Sequence, residues 1–174
     1  MRVRFSPKTP MKNIINLNKP SGPKFRTASL DRAAKKIVLV GGCFDIVHLG
    51  HLTFLEKAKA EGEILIVLLE SDENIRKNKG EGRPINNQED RAKFLTKLKM
   101  VDYVIKLPEM KNDEEYFKII NKIKPNVIAV SEKDINLIKK KEQARKIGAK
   151  LVEVTKIIPQ QSTSKIIEDI ISYL

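Results

Sequence analysis

Tryptophan is missing from this chain, cysteine occurs once, as Cys43, and histidine only twice. A single thiol excludes an internal disulfide, and a reducing compartment fits such a sequence. Aromatic residues make up 5% of the chain against a hydrophobic total of 41%, so Ile, Leu and Val must fill the core. Long apolar runs are lacking too: nothing approaches the ~18 residues of a membrane span. No apolar stretch of the secretory type stands near the N-terminus. The expectation is a cytoplasmic protein without a membrane partner. Neither the three-glycine dinucleotide fingerprint nor a Gly-Lys-Ser/Thr phosphate loop occurs, and no internal repeat is visible.

Positive charge is abundant and unevenly placed. Of a net +12, residues 1–34 supply +7, from eight Lys and Arg against Asp31 alone. Pro7, Pro10, Pro20 and Pro23 fall in the same stretch. Residues 1–34 therefore read as a basic, Pro-containing extension and residues 35–174 as one domain. A solvated arm is the plain expectation. Nucleic acid or an anionic surface is an alternative partner for such charge, and nucleic acid is not expected as the main one. The prolines would break the amphipathic helix of an organelle-targeting peptide. Order is expected from about Ala28, with a short helical turn through Arg32.

Beyond that point short apolar runs alternate with amphipathic stretches. Strands are predicted at Ile37–Val40, Ile64–Leu69, Asp102–Lys106, Val127–Val130 and Leu151–Thr155. Helices are predicted at Leu49–Glu61, Asp72–Lys77, Asn87–Leu98, Asp113–Ile123 and Asn136–Ile147, with a last one from Thr163 to about Tyr173. Gly62 and Gly148 follow helix ends, where a left-handed cap is wanted. Pro125 stops a helix before a strand. This alternation implies an α/β fold: a Rossmann-like, doubly wound, five-stranded parallel sheet with helices on both faces. Ligands of such sheets bind beyond the carboxyl ends of the strands, where strand order reverses.

The first predicted strand runs into Gly41-Gly42-Cys43-Phe44-Asp45-Ile46-Val47-His48-Leu49-Gly50-His51. Two glycines let backbone amides approach a polyanion. The helix that follows presents a positive N-terminus. His48 and His51, three apart, share one side of its first turn. Two imidazole donors there suit the charge of a phosphoryl-transfer transition state. Three plainer readings compete. A helical histidine is often a packing residue. Zinc on Cys43, His48 and His51 would lack a fourth Cys or His. Cys43 as a nucleophile would lack an Asn or Asp to orient a partner imidazole.

The segment Gly42-Cys43-Phe44-Asp45-x-x-His48-x-Gly50-His51 resembles the cytidylyltransferase-like nucleotidyltransferases, and the resemblance runs over residues 35–174. It implies that His48 and His51 stabilise the α-phosphate transition state, with Lys79 as a third catalytic contact. It places Gly42, Cys43, Phe44, Gly50, Ser131 and Asp134 against the nucleotide. Ser162, Thr163 and Ser164 match a Ser/Thr run that holds the β- and γ-phosphates. That role adds to the helix capping and free-amide anion binding which hydroxyls at a helix start already offer. Asp45, Asp72, Arg83 and Arg91 are implied at the acceptor, and Mg²⁺ is the implied cofactor, with no protein ligand to the metal assigned. The bland alternatives are a solvated loop around Lys79 and Arg83, and a surface charge at Arg91.

Lys79-Gly80-x-Gly82-Arg83-Pro84-Ile85-Asn86 and Val101-Asp102-Tyr103-Val104 are most similar to the heptose 1-phosphate adenylyltransferases. The resemblance thus implies transfer of AMP from ATP, rather than CMP from CTP, to D-glycero-β-D-manno-heptose 1-phosphate, by a homodimer. Two departures stand out. Val130-Ser131-Glu132-Lys133-Asp134 replaces the Lys-Gly-Gly-Asp run of those enzymes and resembles the Val-Ser-Glu of phosphopantetheine adenylyltransferases. No Arg precedes the Ser-Thr run, as one does in the glycerol-phosphate enzymes. Glycerol-3-phosphate cytidylyltransferase, FAD synthase and phosphopantetheine adenylyltransferase stay as alternatives. From another class, so does a non-catalytic nucleotide- or RNA-binding protein. No general base is required, because a phosphate with a second pKa of ~6 is largely a dianion at neutral pH.

Overall fold

The computed structural model describes residues 14–17, 35–156, 158 and 161–173. In chain order the elements are β1 (Ile14–Asn16), β2 (Ile37–Gly42), α1 (Leu49–Ala60), β3 (Ile64–Leu69), α2 (Asp72–Lys79) and α3 (Gln88–Leu95). They continue with β4 (Tyr103–Lys106), α4 (Asp113–Ile123), β5 (Val127–Ser131), α5 (Leu137–Ile147), β6 (Lys150–Thr155) and α6 (Thr163–Ser172). All strand pairings are parallel, in the order β1-β4-β3-β2-β5-β6. The expected α/β architecture is present, with one correction: among the described residues the sheet has six strands, not five. The extra strand comes from within the basic extension. Ile14 pairs with Val104, Ile15 with Ile105 and Asn16 with Lys106. Three residues are too short for a periodic signal, and only an existing edge makes them a strand. The helical turn expected at Ala28–Arg32 lies outside the described residues.

Alternation along the strands sorts their side chains to two faces. Ile37, Leu39, Ile66, Leu68, Ile105 and Ile128 face α4 and α5, where Ile120, Ile123 and Ala144 meet them. Val38, Val40, Leu65, Val67, Val104 and Ala129 face α1 and α3, through Leu55, Ala58, Ala92 and Leu95. All six residues of β3 are buried, as befits a strand covered on both sides.

The chain adds β3 and β4 on one side of β2, then β5 and β6 on the other. Order therefore reverses between β2 and β5. Those two strands pair only at Val38 with Val127 and Leu39 with Ile128, while β2 stays paired with β3 as far as Gly42. Past Leu39 the sheet splits, and the split opens toward the strand ends.

Two helix ends resolve differently. Gly148 takes the left-handed conformation expected of it, at φ +70°. Gly62 does not: α1 is capped by Glu61 with φ −78°. What requires glycine at 62 is space, since a Cβ there would stand 2.6 Å from the Lys36 carbonyl oxygen.

Candidate active site

The loop from β2 to α1 crosses the split. Phe44, at φ +47°, turns its ring inward and is buried. His51 packs on it with ring centroids 5.1 Å apart. His48 stacks on His51 at 3.9 Å, the planes 29° apart. Gly50 permits this, because a Cβ would stand 3.0 Å from the His48 ring and 3.3 Å from the Gln161 side chain. The predicted pairing of the two imidazoles is thus present, and α6 begins against it. Thr163 is buried and donates to the Ile46 carbonyl at 3.3 Å, which fastens α6 to the loop. Ser162 caps α6 by accepting from the Lys165 amide, and Ser164 is exposed.

Charge at the helix starts is uneven. Asp72 and Glu73, Glu89 and Asp90, and Asp113, Glu114 and Glu115 occupy the first turns of α2, α3 and α4. The first turn of α1 has no acid and no side-chain cap. Its amides and positive dipole are left for an external anion. Burial pushes the His51 pKa down to about 4, aided by the nearby His48 and Lys79. Burial also lowers that of His48. Both rings are therefore neutral in the free protein at pH 7. Each keeps a buried Nδ1 with no partner among the described residues.

The residues expected at the acceptor form a different structure. Asp45 is 4% exposed and accepts from Arg83 Nε at 2.8 Å and from the amides of Ile85 and Asn86 at 3.0 and 2.9 Å. Burial alone would raise its pKa, but these three donors override it and hold the carboxyl below its ordinary value. Arg91 is fully buried. It donates to the carbonyls of Cys43, Glu70 and Asn86 and to Asp72 Oδ1 at 2.6 Å. Asp72 Oδ2 accepts from the Gln88 amide. Asp45 and Arg91, both expected at the acceptor, bind the ends of β2 and β3 to the 83–91 segment. Phe44, expected against the nucleotide, packs its ring on that of His51. Arg83 keeps one buried nitrogen, Nη2, unpartnered.

A cavity of about 910 Å³ occupies the split on the α4–α5 side. Gly42, Cys43, Glu70, Lys79, Tyr116 and Lys140 are among the residues that line it, and the Glu70 amide donates to the Gly42 carbonyl at 3.1 Å. Lys79 acts electrostatically on both Cys43 and His51, so it joins the cavity to the imidazole pair. Burial raises the Cys43 pKa, which argues against a thiolate nucleophile. Asp134 lines the cavity but accepts from the Asn136 amide just ahead of α5 and pairs with Lys140 at 2.7 Å. Ser131 ends β5 beside a register shift against β6. The sequence reading assigned no role to Glu70, Asn74, Tyr116 or Lys140. The one available signal was Glu70, a carboxylate directly after an all-apolar strand. Among the described residues no three His, Cys, Asp or Glu side chains converge as a metal cage, and no helix is long and apolar enough to cross a membrane.

Residues 39–169 match the family model described as cytidylyltransferase-like. The bifunctional protein HldE of Helicobacter pylori strain J99 is 41% identical over 145 residues, which is 82% of this chain and 29% of that protein. The bifunctional protein HldE of Wolinella succinogenes is 43% identical over 139 residues, 78% of this chain and 27% of that protein. The chain spans under a third of the length of these curated relatives. A lipopolysaccharide core biosynthesis protein from Thermoplasma volcanium superposes with a TM-score of 0.57 at 26% identity, over 71% of this chain and 97% of that one. Pantoate-beta-alanine ligase from Francisella tularensis, at 17% identity and a TM-score of 0.55 over 77% of this chain and 66% of that one, shares the fold.

Proposed function

The chain belongs to the cytidylyltransferase-like family of nucleotidyltransferases, and from that premise we propose that it transfers AMP from ATP to a sugar 1-phosphate, D-glycero-β-D-manno-heptose 1-phosphate being the first candidate. The observation that carries the reading is the stacked His48–His51 pair at the bare start of α1, placed where strand order reverses. The similarity to the HldE proteins and to a lipopolysaccharide core biosynthesis protein supports a sugar acceptor.

The triphosphate lies along the α1 and α6 starts, its α-phosphate at the imidazoles. The acceptor occupies the neighbouring cavity with its phosphate toward Lys79. An acceptor phosphate oxygen attacks the α-phosphorus, forming a new P–O–P bridge. The bond from the α-phosphorus to the β-bridging oxygen breaks, and pyrophosphate leaves with the electron pair. The approaching triphosphate favours the charged form of the imidazoles, so the rings become stronger donors as negative charge builds. The work is positioning and charge stabilisation. Asp45, Asp72, Arg83 and Arg91 hold the two loops in register. Mg²⁺ would accompany the triphosphate and would supply charge neutralisation there, with no ligand assigned to this chain's residues.

The test is pyrophosphate release with ATP or CTP, Mg²⁺ and a panel of phosphates. ATP with the heptose 1-phosphate is the expected productive pair, and turnover with CTP alone overturns the nucleotide assignment. His48→Ala and His51→Ala are each expected to lose ~10²–10³ in kcat. A loss under threefold in a folded variant removes the imidazoles from the mechanism. The homodimer belongs to the same proposal and is checked by light scattering.

A further inference from the structure

Glu70 stands at the mouth of β3, and among the described residues no cation pairs with its carboxylate. Its Oε2 accepts from Tyr116 Oη at 2.9 Å and from Asn74 Nδ2 at 3.4 Å. Asn74 Nδ2 also donates to Tyr116 Oη at 2.9 Å, so the three side chains brace one another. Oε1 accepts no hydrogen bond from the described residues. Asn74 is 5% exposed, and its Oδ1 is buried without a partner. All three residues line the 910 Å³ cavity. Nearby cations are engaged elsewhere: Lys140 with Asp134, and Arg91 with the Glu70 backbone carbonyl rather than its carboxylate.

This wall offers two acceptor oxygens and wants donors. A phosphate supplies none and would be repelled by the carboxylate. A metal ion would need more anionic ligands than the wall provides. Hydroxyl groups fit, since each donates one hydrogen bond. Asn74 Oδ1 is a buried acceptor left without a donor, a cost that a hydroxyl-bearing ligand relieves, and the half-buried Glu70 carboxylate offers the second acceptor beside it. We propose that Glu70, braced by Tyr116 and Asn74, selects a polyhydroxylated acceptor by accepting hydrogen bonds from its hydroxyls, while the acceptor phosphate lies at the Lys79 end. This rests on the reading that the cavity takes the phosphorylated acceptor. Burial raises the Glu70 pKa, in keeping with a desolvated carboxyl that a ligand hydroxyl would serve.

The test is calorimetric binding of D-glycero-β-D-manno-heptose 1-phosphate, with methyl phosphate as the hydroxyl-free control, to wild type, Glu70→Gln and Tyr116→Phe. Wild type should bind the sugar phosphate at least tenfold tighter than methyl phosphate. Glu70→Gln should lose most of that preference. Tyr116→Phe, which keeps the charge but frees the carboxylate, should lose threefold or more. Both variants should bind ATP as wild type does, a result that a merely structural role would not give. A wild type without preference, a Glu70→Gln that keeps it, or a parallel loss of ATP affinity overturns the proposal. Sugar preference without pyrophosphate release for any acceptor sinks nucleotidyl transfer and leaves the hydroxyl reading standing.

Discussion

Arg91 is fully buried and holds three main-chain carbonyls and Asp72 at once. Removing one partner of a buried, hydrogen-bonded ion pair typically costs about 3–5 kcal/mol. Arg91→Ala should lose that much in urea unfolding, and Arg91→Lys a smaller part, because an ammonium cannot span the fork. A stable Arg91→Ala with only a raised acceptor KM would restore the contact role implied by family resemblance. The histidines make a pH prediction. His51 falls to about 4 in the folded state from 6.5. A base with a depressed folded pKa binds its proton more readily when unfolded. Its contribution to stability is therefore full above about pH 6.5 and is lost as pH falls toward about 4. The urea midpoint should drop across that window, and His51→Asn should flatten the slope. An unchanged slope would show that the ring is not held neutral by the fold.

At the scale of elements, two glycines separate two causes. At Gly148 a Cβ would meet nothing within 4 Å, so Gly148→Ala incurs only the left-handed backbone term, about 1–2 kcal/mol. At Gly62 the obstacle is the Lys36 carbonyl oxygen at 2.6 Å, main chain that cannot swing aside. Gly62→Ala should therefore be the more destabilising, with thermal unfolding as the measure; equal losses would refute the steric account. Both positions read alike in the sequence, as glycines after amphipathic helices. Only Lys36, 26 residues earlier in the chain and directly before β2, tells them apart. Helix α4 matched its predicted bounds and β3 likewise. In each, one strong pattern coincides with its own caps: Asn112 accepts from the Glu115 amide, and β3 is apolar throughout.

For the whole molecule, β1 ties part of the basic extension to the sheet edge, with Ile15 buried among Ile105 and its neighbours. Removing residues 1–17 should cost about 1.5–3 kcal/mol in urea unfolding, the value of one buried Ile. Nucleotidyl transfer should be spared, because β4 and β3 separate β1 from β2. Unchanged stability would show that the strand adds nothing. Local chemistry determined much of this protein. The alternation of apolar runs and amphipathic stretches set the α/β class. The Gly-rich turn with histidines three apart marked one strand end as the candidate site, because periodicity and helix-start electrostatics act over a few residues. Tertiary structure decided the rest. It made Asp45 and Arg91 braces, brought Glu70, Asn74 and Tyr116 together from the end of β3, from α2 and from α4, and recruited a sixth strand. Burial and pairing are properties of neighbours in space, and those neighbours lie up to 90 residues apart in the register between β1 and β4.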